Sequence, residues 1–193
     1  MKAVFLDYAS LDQNDLDFSE LQAVFENLTL YPASTEEQVL ERIQDVDVVI
    51  TNKVRISAEV IQQLPQLKLI LISATGTNNV DLVQAKKSGI VVCNCQAYGT
   101  SAVAQHTLML MLALSTSVIQ YHQAVQKGEW QKAQQFCLLD FPIVELAGKT
   151  LGIIGYGELG QAVAQLAKAF GMQIMVGALP NRPQREGRVQ LDE

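Results

Sequence analysis

Short apolar runs alternate with segments of helical periodicity along the first half of the chain. The apolar runs are short enough to predict strands, and the segments between them carry apolar residues at helical spacing. The predicted strands are residues 3–6, 28–31, 46–51, 67–73 and 90–95. The predicted helices are residues 18–27, 35–44, 57–64 and 80–87. This alternation predicts an α/β fold, with an open parallel sheet covered by helices on both faces.

A long uncharged stretch follows, from Ser88 to Gln126. Its part from Ser101 onward predicts one long helix that is apolar on most sides and must therefore be buried. A membrane span is the alternative, but five polar residues interrupt the apolar run before the ~20 residues that a span requires. These residues are Gln105, His106, Ser115, Thr116 and Ser117. We therefore expect a connector helix between two domains, covered by both, with a partner subunit as a further possible cover.

A glycine-rich turn lies between an apolar strand and an amphipathic helix near the end of the chain. Its spacing is G-x-G-x-x-G, and its residues are Gly155, Tyr156, Gly157, Glu158, Leu159 and Gly160. In dinucleotide sites these glycines allow a tight turn, a close approach to the pyrophosphate and close helix–strand packing. The helix N-terminus then favours the phosphate charge. A purely structural turn is the alternative, and the strand–helix context favours the dinucleotide site.

The second strand of this unit is predicted at residues 173–177, and an NAD site usually places Asp or Glu near its end. That place holds Gly177, Ala178 and Leu179. Three arginines follow that are either partners of the NADP 2′-phosphate or a solvated basic loop, and we favour the loop: Arg182, Arg185 and Arg188. Both NAD and NADP stay open as cofactors. Only two strands of a fold that needs two halves are predicted, so we expect a truncated part of a longer protein.

Two turns after predicted strands are candidate ligand contacts. Residues 74–81, ATGTNNVD, form a small-residue turn whose backbone N–H groups are suited to a carboxylate. The alternative is an ordinary turn in which Asn79 or Asp81 caps the next helix. Lys53 follows another strand on the carboxyl edge of the sheet, where open α/β folds bind ligands. It suits an acidic substrate, although a single lysine is usually only solvated.

Composition limits the choice of partners and compartment. A formal charge of −6 gives no electrostatic reason to expect nucleic acid or an anionic membrane. Cys93, Cys95 and Cys137 lack a second pair of metal ligands, so we predict buried free thiols, no metal site and a reducing cytoplasm. The N-terminus lacks the long apolar stretch of a signal peptide, and export is not expected. His106 and His122 are predicted as ordinary helix residues, because no Asp or Ser is arranged with them.

Several segments carry a family resemblance that is far more specific than the glycine turn alone. They are TNK at 51–53, ATGTNNVD at 74–81, VAQH at 103–106, FCLLDFPIVELAGKTLGIIGYGELG at 136–160 and FGM at 170–172. Together they resemble the D-isomer-specific 2-hydroxyacid dehydrogenases, and within them the glycerate dehydrogenase or hydroxypyruvate reductase branch. The resemblance extends over the whole chain in order.

The resemblance implies two domains. Residues 1–97 correspond to a flavodoxin-like substrate domain, and residues 98–193 to the connector helix, a dimerisation arm and an incomplete Rossmann dinucleotide-binding domain. The implied substrate-binding residues are Lys53, Ala74, Thr75, Gly76 and Tyr98, with the backbone N–H groups of Thr75 and Gly76 holding the substrate carboxylate. Val103 matches a position beside the nicotinamide. Residues 127–145 match the arm that embraces a second subunit, which implies a homodimer.

The implied activity is the NAD(P)-dependent interconversion of a small D-2-hydroxy acid and its 2-oxo acid, such as glycerate and hydroxypyruvate or a glyoxylate-like pair. In the family, a His oriented by a Glu exchanges a proton with the substrate oxygen, while an Arg fixes the carboxylate and hydride passes to or from the nicotinamide. All three match positions beyond residue 193, so we assign no catalytic residue and expect the chain alone to be inactive. The alternative is a non-catalytic binding or assembly module. A thiol-dependent hydrolase is a third reading that lacks a paired base.

Overall fold

The chain divides into two units, Met1–Gln96 and Ala97–Glu193. They are called the N-terminal and C-terminal units below. The computed structural model describes residues 1–179 and 186–190. Arg182 and Arg185, which the sequence offered as cofactor partners or loop residues, lie outside the described residues.

The N-terminal unit is built on a five-stranded parallel sheet. Its strands are β1 (Lys2–Phe5), β2 (Asn27–Leu30), β3 (Val48–Thr51), β4 (Leu69–Ile72) and β5 (Val91–Asn94). Its α-helices are α1 (Ser19–Val24), α2 (Glu36–Ile43), α3 (Ala58–Ile61) and α4 (Leu82–Lys87), with a 3₁₀ turn at Tyr8–Ser10. The strand order β2-β1-β3-β4-β5, all parallel, is the flavodoxin-like order. The predicted α/β fold class is confirmed.

Apolar side chains cover both faces of this sheet. Val4, Val49 and Ile70 belong to one buried cluster, whereas Phe5 and Val48 belong to the other. Side chains alternate between the faces of a strand, so a central strand such as β3 must be apolar at nearly every position. This requirement explains why the sequence pattern located the strands of this unit.

Side-chain caps fix the starts of α2, α3 and α4 in the N-terminal unit. Thr35 forms a capping box with Gln38 at the start of α2. The Ser57 hydroxyl accepts a hydrogen bond from the N–H of Val60, and the Asp81 carboxylate accepts one from Gln84. These bonds satisfy N–H groups that have no partner within the helix.

The C-terminal unit contains helices followed by a smaller parallel sheet. Its helices are α5 (Thr100–Ser115), α6 (Val118–Gln126), α7 (Glu129–Lys132) and α8 (Glu158–Ala169). Its strands are β6 (Thr150–Ile154), β7 (Gln173–Gly177) and β8 (Arg188–Val189), in the order β6-β7-β8. The expectation of only two strands, with Arg188 in a loop, is wrong. Arg188 pairs with Val176, and a two-residue strand is too short to leave a sequence pattern.

The prediction of a single long connector helix is also wrong, because the chain bends by 60° between α5 and α6. The break lies at Ser117, whose φ of 51° is left-handed. Its hydroxyl donates to the carbonyl of Pro142 at 2.7 Å, and the N–H of Val144 donates to the carbonyl of Ser115 at 2.7 Å. Among the described residues, no single helix is long and apolar enough to cross a membrane, and the bent pair α5 and α6 meets that criterion only in combined length and composition.

Much of the connector is exposed within one copy of the chain, contrary to the predicted burial. Within α5 only Ala104 and Leu108 are buried, and Leu114 is 81% exposed. In the C-terminal unit α5 packs against α8, which covers only one side of it. A cover by a partner subunit stays a prediction.

The three cysteines are free, as predicted, but they are not buried. Cys93 and Cys95 are exposed, and Cys137 is partly exposed. For Cys93 the reason is that β5 is an edge strand of its sheet, along which every second side chain is exposed. Val91 is exposed at the preceding equivalent position. Cys95 follows the end of this strand.

Candidate functional site

The glycine turn, residues 155–160, connects β6 to α8 and requires glycine at two places for different reasons. Gly155 has a φ of +92°, a left-handed conformation that strains other residues. At Gly160, an added Cβ would lie 2.3 Å from the carbonyl oxygen of Gly155 and 3.2 Å from a methyl carbon of Ile153. The first glycine therefore permits the turn, and the last permits the close packing of helix on strand.

Gly157 leaves open space above the turn. No heavy atom lies within 4 Å of a Cβ built there, and its φ of −86° carries no left-handed strain. In the described part of the chain, the N–H groups of Glu158, Leu159 and Gly160 have no acceptor. Free N–H groups at a helix N-terminus beside open space are suited to a pyrophosphate. The residues present therefore fit the phosphates of a dinucleotide.

The glycine turn includes one carboxylate side chain. Glu158 is exposed at the start of α8, and its Oε1 accepts a hydrogen bond of 2.6 Å from the hydroxyl of Thr100 at the start of α5. Together with Tyr156 and Gln161, these residues line a cavity of 510 Å³. The sequence analysis missed the role of Thr100, because a contact across 58 residues leaves no local signal.

The end of β7 carries no acidic side chain, as the sequence showed. Gly177 is buried, and the N–H of Ala178 donates to the carbonyl of Val189 at 2.7 Å. The backbone at this position is thus used in pairing with β8. The usual carboxylate partner of the NAD ribose is absent from residues 177–179.

A second candidate site lies at the carboxyl ends of β3 and β4 in the N-terminal unit. The N–H of Ser73 donates to the carbonyl of Thr51, at the point where both strands end. The N–H of Ile56 donates to the carbonyl of Asn79 at 2.8 Å, and the carbonyl of Ile56 accepts a hydrogen bond from the N–H of Asp81 at 3.1 Å. These bonds hold the loop of Lys53 beside the loop of residues 74–76, which is called the carboxylate loop below. The structure thus places Lys53, Ala74, Thr75 and Gly76 at one edge of the sheet.

The carboxylate loop presents backbone rather than side chains. Ala74 is buried, while Thr75 and Gly76 are exposed. Across residues 1–179 and 186–190, nothing accepts a hydrogen bond from the N–H of either exposed residue. The carbonyl of Thr75 accepts a bond of 2.7 Å from the side-chain amide of Asn94, which fixes the loop from β5. Asp81 caps α4 as well, so the simple turn and the ligand loop are compatible readings.

Asp7 is a site residue that the sequence analysis missed. It follows β1, is only 5% exposed, and accepts hydrogen bonds from the N–H groups of Asn52, Lys53 and Val54 at 2.8, 2.7 and 3.2 Å. A buried carboxylate that accepts several N–H bonds fixes the backbone that donates them. Asp7 therefore positions Lys53 at the switch point between β1 and β3, where this fold binds ligands. Its place at a strand end was visible in the sequence, but its partners 45 to 47 residues away were not.

The remaining predicted residues lie in the C-terminal unit. Tyr98 precedes α5 and Val103 lies in its first turn, and both are exposed. Their roles stay predictions. His106 and His122 are exposed on α5 and α6.

Comparison with known proteins identifies the family of the chain. The family model for the D-isomer specific 2-hydroxyacid dehydrogenase, catalytic domain, matches residues 4–177. The chain belongs to this family. It is 42% identical over 174 residues to a glycerate dehydrogenase of Methylorubrum extorquens, covering 90% of this chain and 54% of that protein. It is 38% identical to a hydroxypyruvate reductase of Blautia hydrogenotrophica, covering 100% of this chain and 62% of that protein.

Solved structures share the fold over nearly the same length. An acyclic imino acid reductase in complex with NADPH and D-Arg superposes with a TM-score of 0.81 at 26% identity, covering 100% of this chain and 60% of that one. A D-lactate dehydrogenase from Aquifex aeolicus, complexed with NAD and lactic acid, gives 0.78 at 26% identity, covering 96% and 53%. The chain thus spans 53–62% of the length of these four relatives. The identification of the family from sequence motifs is confirmed.

Proposed function

We propose that the chain is part of an NAD(P)-dependent oxidoreductase that interconverts a small D-2-hydroxy acid and its 2-oxo acid. The carrying observation is the glycine turn, in which Gly155 and Gly160 have steric reasons to be glycine and Gly157 opens onto free space. The relatives named above favour glycerate and hydroxypyruvate or a glyoxylate-like pair as substrates. The family membership supports this assignment but does not distinguish among these acids.

The carboxylate loop would hold the substrate. The N–H groups of Thr75 and Gly76 lie in an exposed turn and are suited to binding a carboxylate. Lys53 adds a positive charge from the neighbouring loop, and Asp7 fixes its backbone. In this proposal Ala74 shapes the loop, and Tyr98 stays a substrate contact that the family resemblance implies.

The glycine turn would hold the cofactor. The start of α8 would bind the pyrophosphate, and Val103 would lie beside the nicotinamide. The bound cofactor supplies the hydride chemistry, while the residues of this chain bind and orient it. No acid–base residue is assigned within the 193 residues, and such a residue contributes roughly 10²- to 10⁴-fold. We therefore propose that this chain alone does not reduce hydroxypyruvate or glyoxylate.

A titration followed by NMR tests the cofactor assignment and tolerates weak binding. Adding NADH or NADPH to the labelled chain is expected to shift the amide signals of residues 155–160. Gly157→Val fills the open space above the turn and should abolish these shifts. Gly152→Ala, whose added Cβ has no neighbour within 4 Å, is the matched control and should retain them. Shifts that are absent from the turn, or unchanged in Gly157→Val, would contradict the proposal.

The same titration addresses the choice between NAD and NADP. We propose no strong preference for NAD, because residues 177–179 place no negative charge beside the ribose. Similar dissociation constants for NADH and NADPH are expected. A large preference for NADH would show that another residue takes the place of the missing acid.

We further propose a homodimer formed by α5, α6 and the arm at residues 127–145. Phe136 is 93% and Leu139 80% exposed in the arm, and Leu114 is similarly open on α5. Apolar surface of this extent is typical of an interface. A cavity of 800 Å³ lies between α5 and α8 and is lined by Leu108, Met109, Leu112, Leu166 and Phe170, among others.

Light scattering at several concentrations tests this assembly. The unmutated chain should show a dimer mass, and Phe136→Ala should shift it toward monomer, since truncating an interface anchor typically costs ~2 kcal/mol or more. Val83→Ala removes an exposed apolar side chain of α4 in the other unit and should leave the dimer intact. A monomer for the unmutated chain would exclude the interface. A dimer without any dinucleotide response would instead favour the non-catalytic assembly module.

The free thiols match a reducing compartment, and we propose a cytoplasmic location on that ground.

A further inference from the structure

The helix α8 begins without a side-chain cap, unlike α2, α3 and α4. Its N-cap is Gly157, and no side chain bonds to the helix start there. The three free N–H groups of residues 158–160 are therefore available to a ligand, and equally to any carboxylate of the chain that reaches them. Glu158 is the acidic residue of this first turn. It is thus the nearest competitor of a bound phosphate.

Other first-turn glutamates of this chain bond to their own helix start. The Thr35 hydroxyl, and then the N–H of Glu37 itself, lower the pKa of Glu37 in α2. The Ser57 hydroxyl, and then the N–H of Glu59 itself, lower the pKa of Glu59 in α3. The positive end of the helix dipole favours a carboxylate in this position. Glu158 lies one position earlier in its helix and has a similar reach, so it needs a reason to stay away from the N–H groups.

The hydroxyl of Thr100 supplies that reason. Its oxygen lies 2.6 Å from Oε1 of Glu158 and 3.2 Å from the carbonyl oxygen of Ala97. A hydroxyl has one proton to donate, and the closer, charged acceptor makes the stronger bond. Within residues 1–179 and 186–190, Thr100 is the one hydrogen-bond partner of the Glu158 side chain, which forms no ion pair there. This bond therefore sets the direction of the carboxylate.

The cavity of 510 Å³ beside this bond shows where the carboxylate lies. It is lined by Thr100 and by residues 158, 161, 162 and 165 of α8, among others. Residues three, four and seven positions apart share one face of a helix, so this face of α8 borders the start of α5. The carboxylate is held along this flank. The space above Gly157 stays open, with no heavy atom within 4 Å of a Cβ built there.

We infer that Thr100 is a positioning residue of the cofactor site, whose hydroxyl holds the Glu158 carboxylate away from the N–H groups that would receive the pyrophosphate. Without that bond, the carboxylate is free to turn to these N–H groups. It then competes with the phosphates for the donors and repels their charge. This role rests on the proposed dinucleotide function and adds a residue to it.

Titration of the labelled 193-residue chain with NADH, followed by NMR, tests this role. Thr100→Val keeps the shape of the side chain without its hydroxyl and should weaken NADH binding about fivefold, which corresponds to one net hydrogen bond. Thr100→Ser retains the hydroxyl and should bind like the unmutated chain. In a Glu158→Ala background no carboxylate competes, so adding Thr100→Val should change the affinity by less than about twofold. Thr107→Val is the matched control, because the Thr107 hydroxyl on the same helix donates to the carbonyl of Val103.

Amide hydrogen exchange without cofactor gives a second measurement that a merely structural role would move in the opposite direction. If the carboxylate turns to the helix start in Thr100→Val, the N–H groups of residues 158–160 gain an acceptor, and their exchange should slow. If the hydroxyl only supports the packing of α5 on α8, its loss should accelerate exchange along α8. Circular dichroism of each variant checks that the fold is retained.

The outcomes separate this role from the cofactor site itself. Unchanged NADH affinity in Thr100→Val, or an equal loss in the Glu158→Ala background, overturns the role of Thr100 and leaves the proposed function intact. Faster exchange along α8 in Thr100→Val also overturns it. If the unmutated chain shows no NADH-induced shifts at residues 155–160, the proposed cofactor site and the role of Thr100 fail together.

Discussion

The two units differ in how far they bury their apolar residues. In the N-terminal unit both faces of the sheet are covered, and the two buried apolar clusters of the described chain lie there. In the C-terminal unit, Ile154 of β6 remains 64% exposed, and the arm leaves Phe136 and Leu139 almost fully open. The N-terminal unit therefore contains its own core, whereas the C-terminal unit presents apolar surface that a further surface would have to cover.

This difference shows that hydrophobicity along the chain does not by itself determine burial. β3 and α5 are both strongly apolar in sequence, but β3 has a neighbouring strand on each side and apolar cover on each face. In contrast, α5 is covered along one side by α8. The topology around a segment decides how much of its apolar surface leaves water.

The largest effect is expected from opening the core of the N-terminal unit. Ile70 lies on β4 and is completely buried. Ile70→Ala should lower the free energy of unfolding by about 3.5 kcal/mol, because it removes buried methyl groups and leaves a cavity. Urea unfolding measures this loss, and amide exchange in β1, β3 and β4 measures it within the sheet. Val83→Ala on the exposed side of α4 should change it by less than about 0.5 kcal/mol. Equal losses in both variants would show that the unit has no closed core.

The second-largest effect on stability is expected from adding a Cβ atom at Gly160 in the C-terminal unit. Gly160→Ala places a Cβ 2.3 Å from the backbone oxygen of Gly155, so α8 must move away from β6. We expect a loss of about 3 kcal/mol in unfolding free energy, as in other overpacked sites. Amide exchange in β6 and α8 should accelerate. Gly152→Ala in the same strand has open space for its Cβ and is expected to be nearly neutral. A stable Gly160→Ala would mean that strand and helix are not in close contact.

A smaller effect is expected at Asp7, where the N-terminal unit contains a buried charge. Asp7→Asn keeps the shape but replaces one acceptor oxygen by an amide that faces the N–H groups of residues 52–54. The expected cost is about 2 kcal/mol, in the range of hydrogen bonds to charged groups. Thermal unfolding measures it. Asp45→Asn, an exposed carboxylate close in sequence, is the control. If both substitutions are neutral, Asp7 does not hold the Lys53 loop.

The strands were predictable because their pattern is local, and the errors lie where the cause is distant. The run of apolar residues over Val48–Thr51 indicates a strand without any knowledge of its partners. The bend at Ser117 depends on Pro142, and nothing near Ser117 in sequence is a glycine or a proline. The run around Cys93 correctly indicated a strand, but no local pattern shows that this strand lies at the edge.

The candidate sites follow the same division. The glycine turn and the carboxylate loop could be proposed from the sequence because backbone sites need small residues in short, recognisable segments. The side chains that hold such loops, such as Asp7 and Asn94, were not found. Their partners are backbone groups of loops that follow other strands, 19 to 47 positions away in the sequence. A single polar residue at a strand end carries no sign of which loop it fixes.

The smallest effect concerns an ion pair at the amino-terminal edge of the larger sheet. Asp47 accepts a bond of 2.6 Å from Lys68, and another of 3.0 Å from the backbone N–H of Lys2. The Lys68 ammonium group, and then the Lys2 N–H, lower the pKa of Asp47 below its usual value of 3.8. Because the pKa is lower in the folded state, Asp47 contributes stability above about pH 4 that is lost as the pH falls through the folded value.

Lys68→Met should bring the pKa of Asp47 closer to 3.8 and reduce the part of the stability that is lost on acidification. An NMR titration of the Asp47 carboxyl group gives its pKa. Urea unfolding at several pH values between about 6 and 2 gives the stability across the titration range. Lys149→Met removes an exposed lysine that forms no ion pair among the described residues and should leave the pKa of Asp47 unchanged. Because the pair is accessible to water, the stability change should be small and should shrink further in high salt. An unchanged pKa in Lys68→Met would mean that the backbone N–H of Lys2 alone holds the Asp47 carboxylate in its charged form.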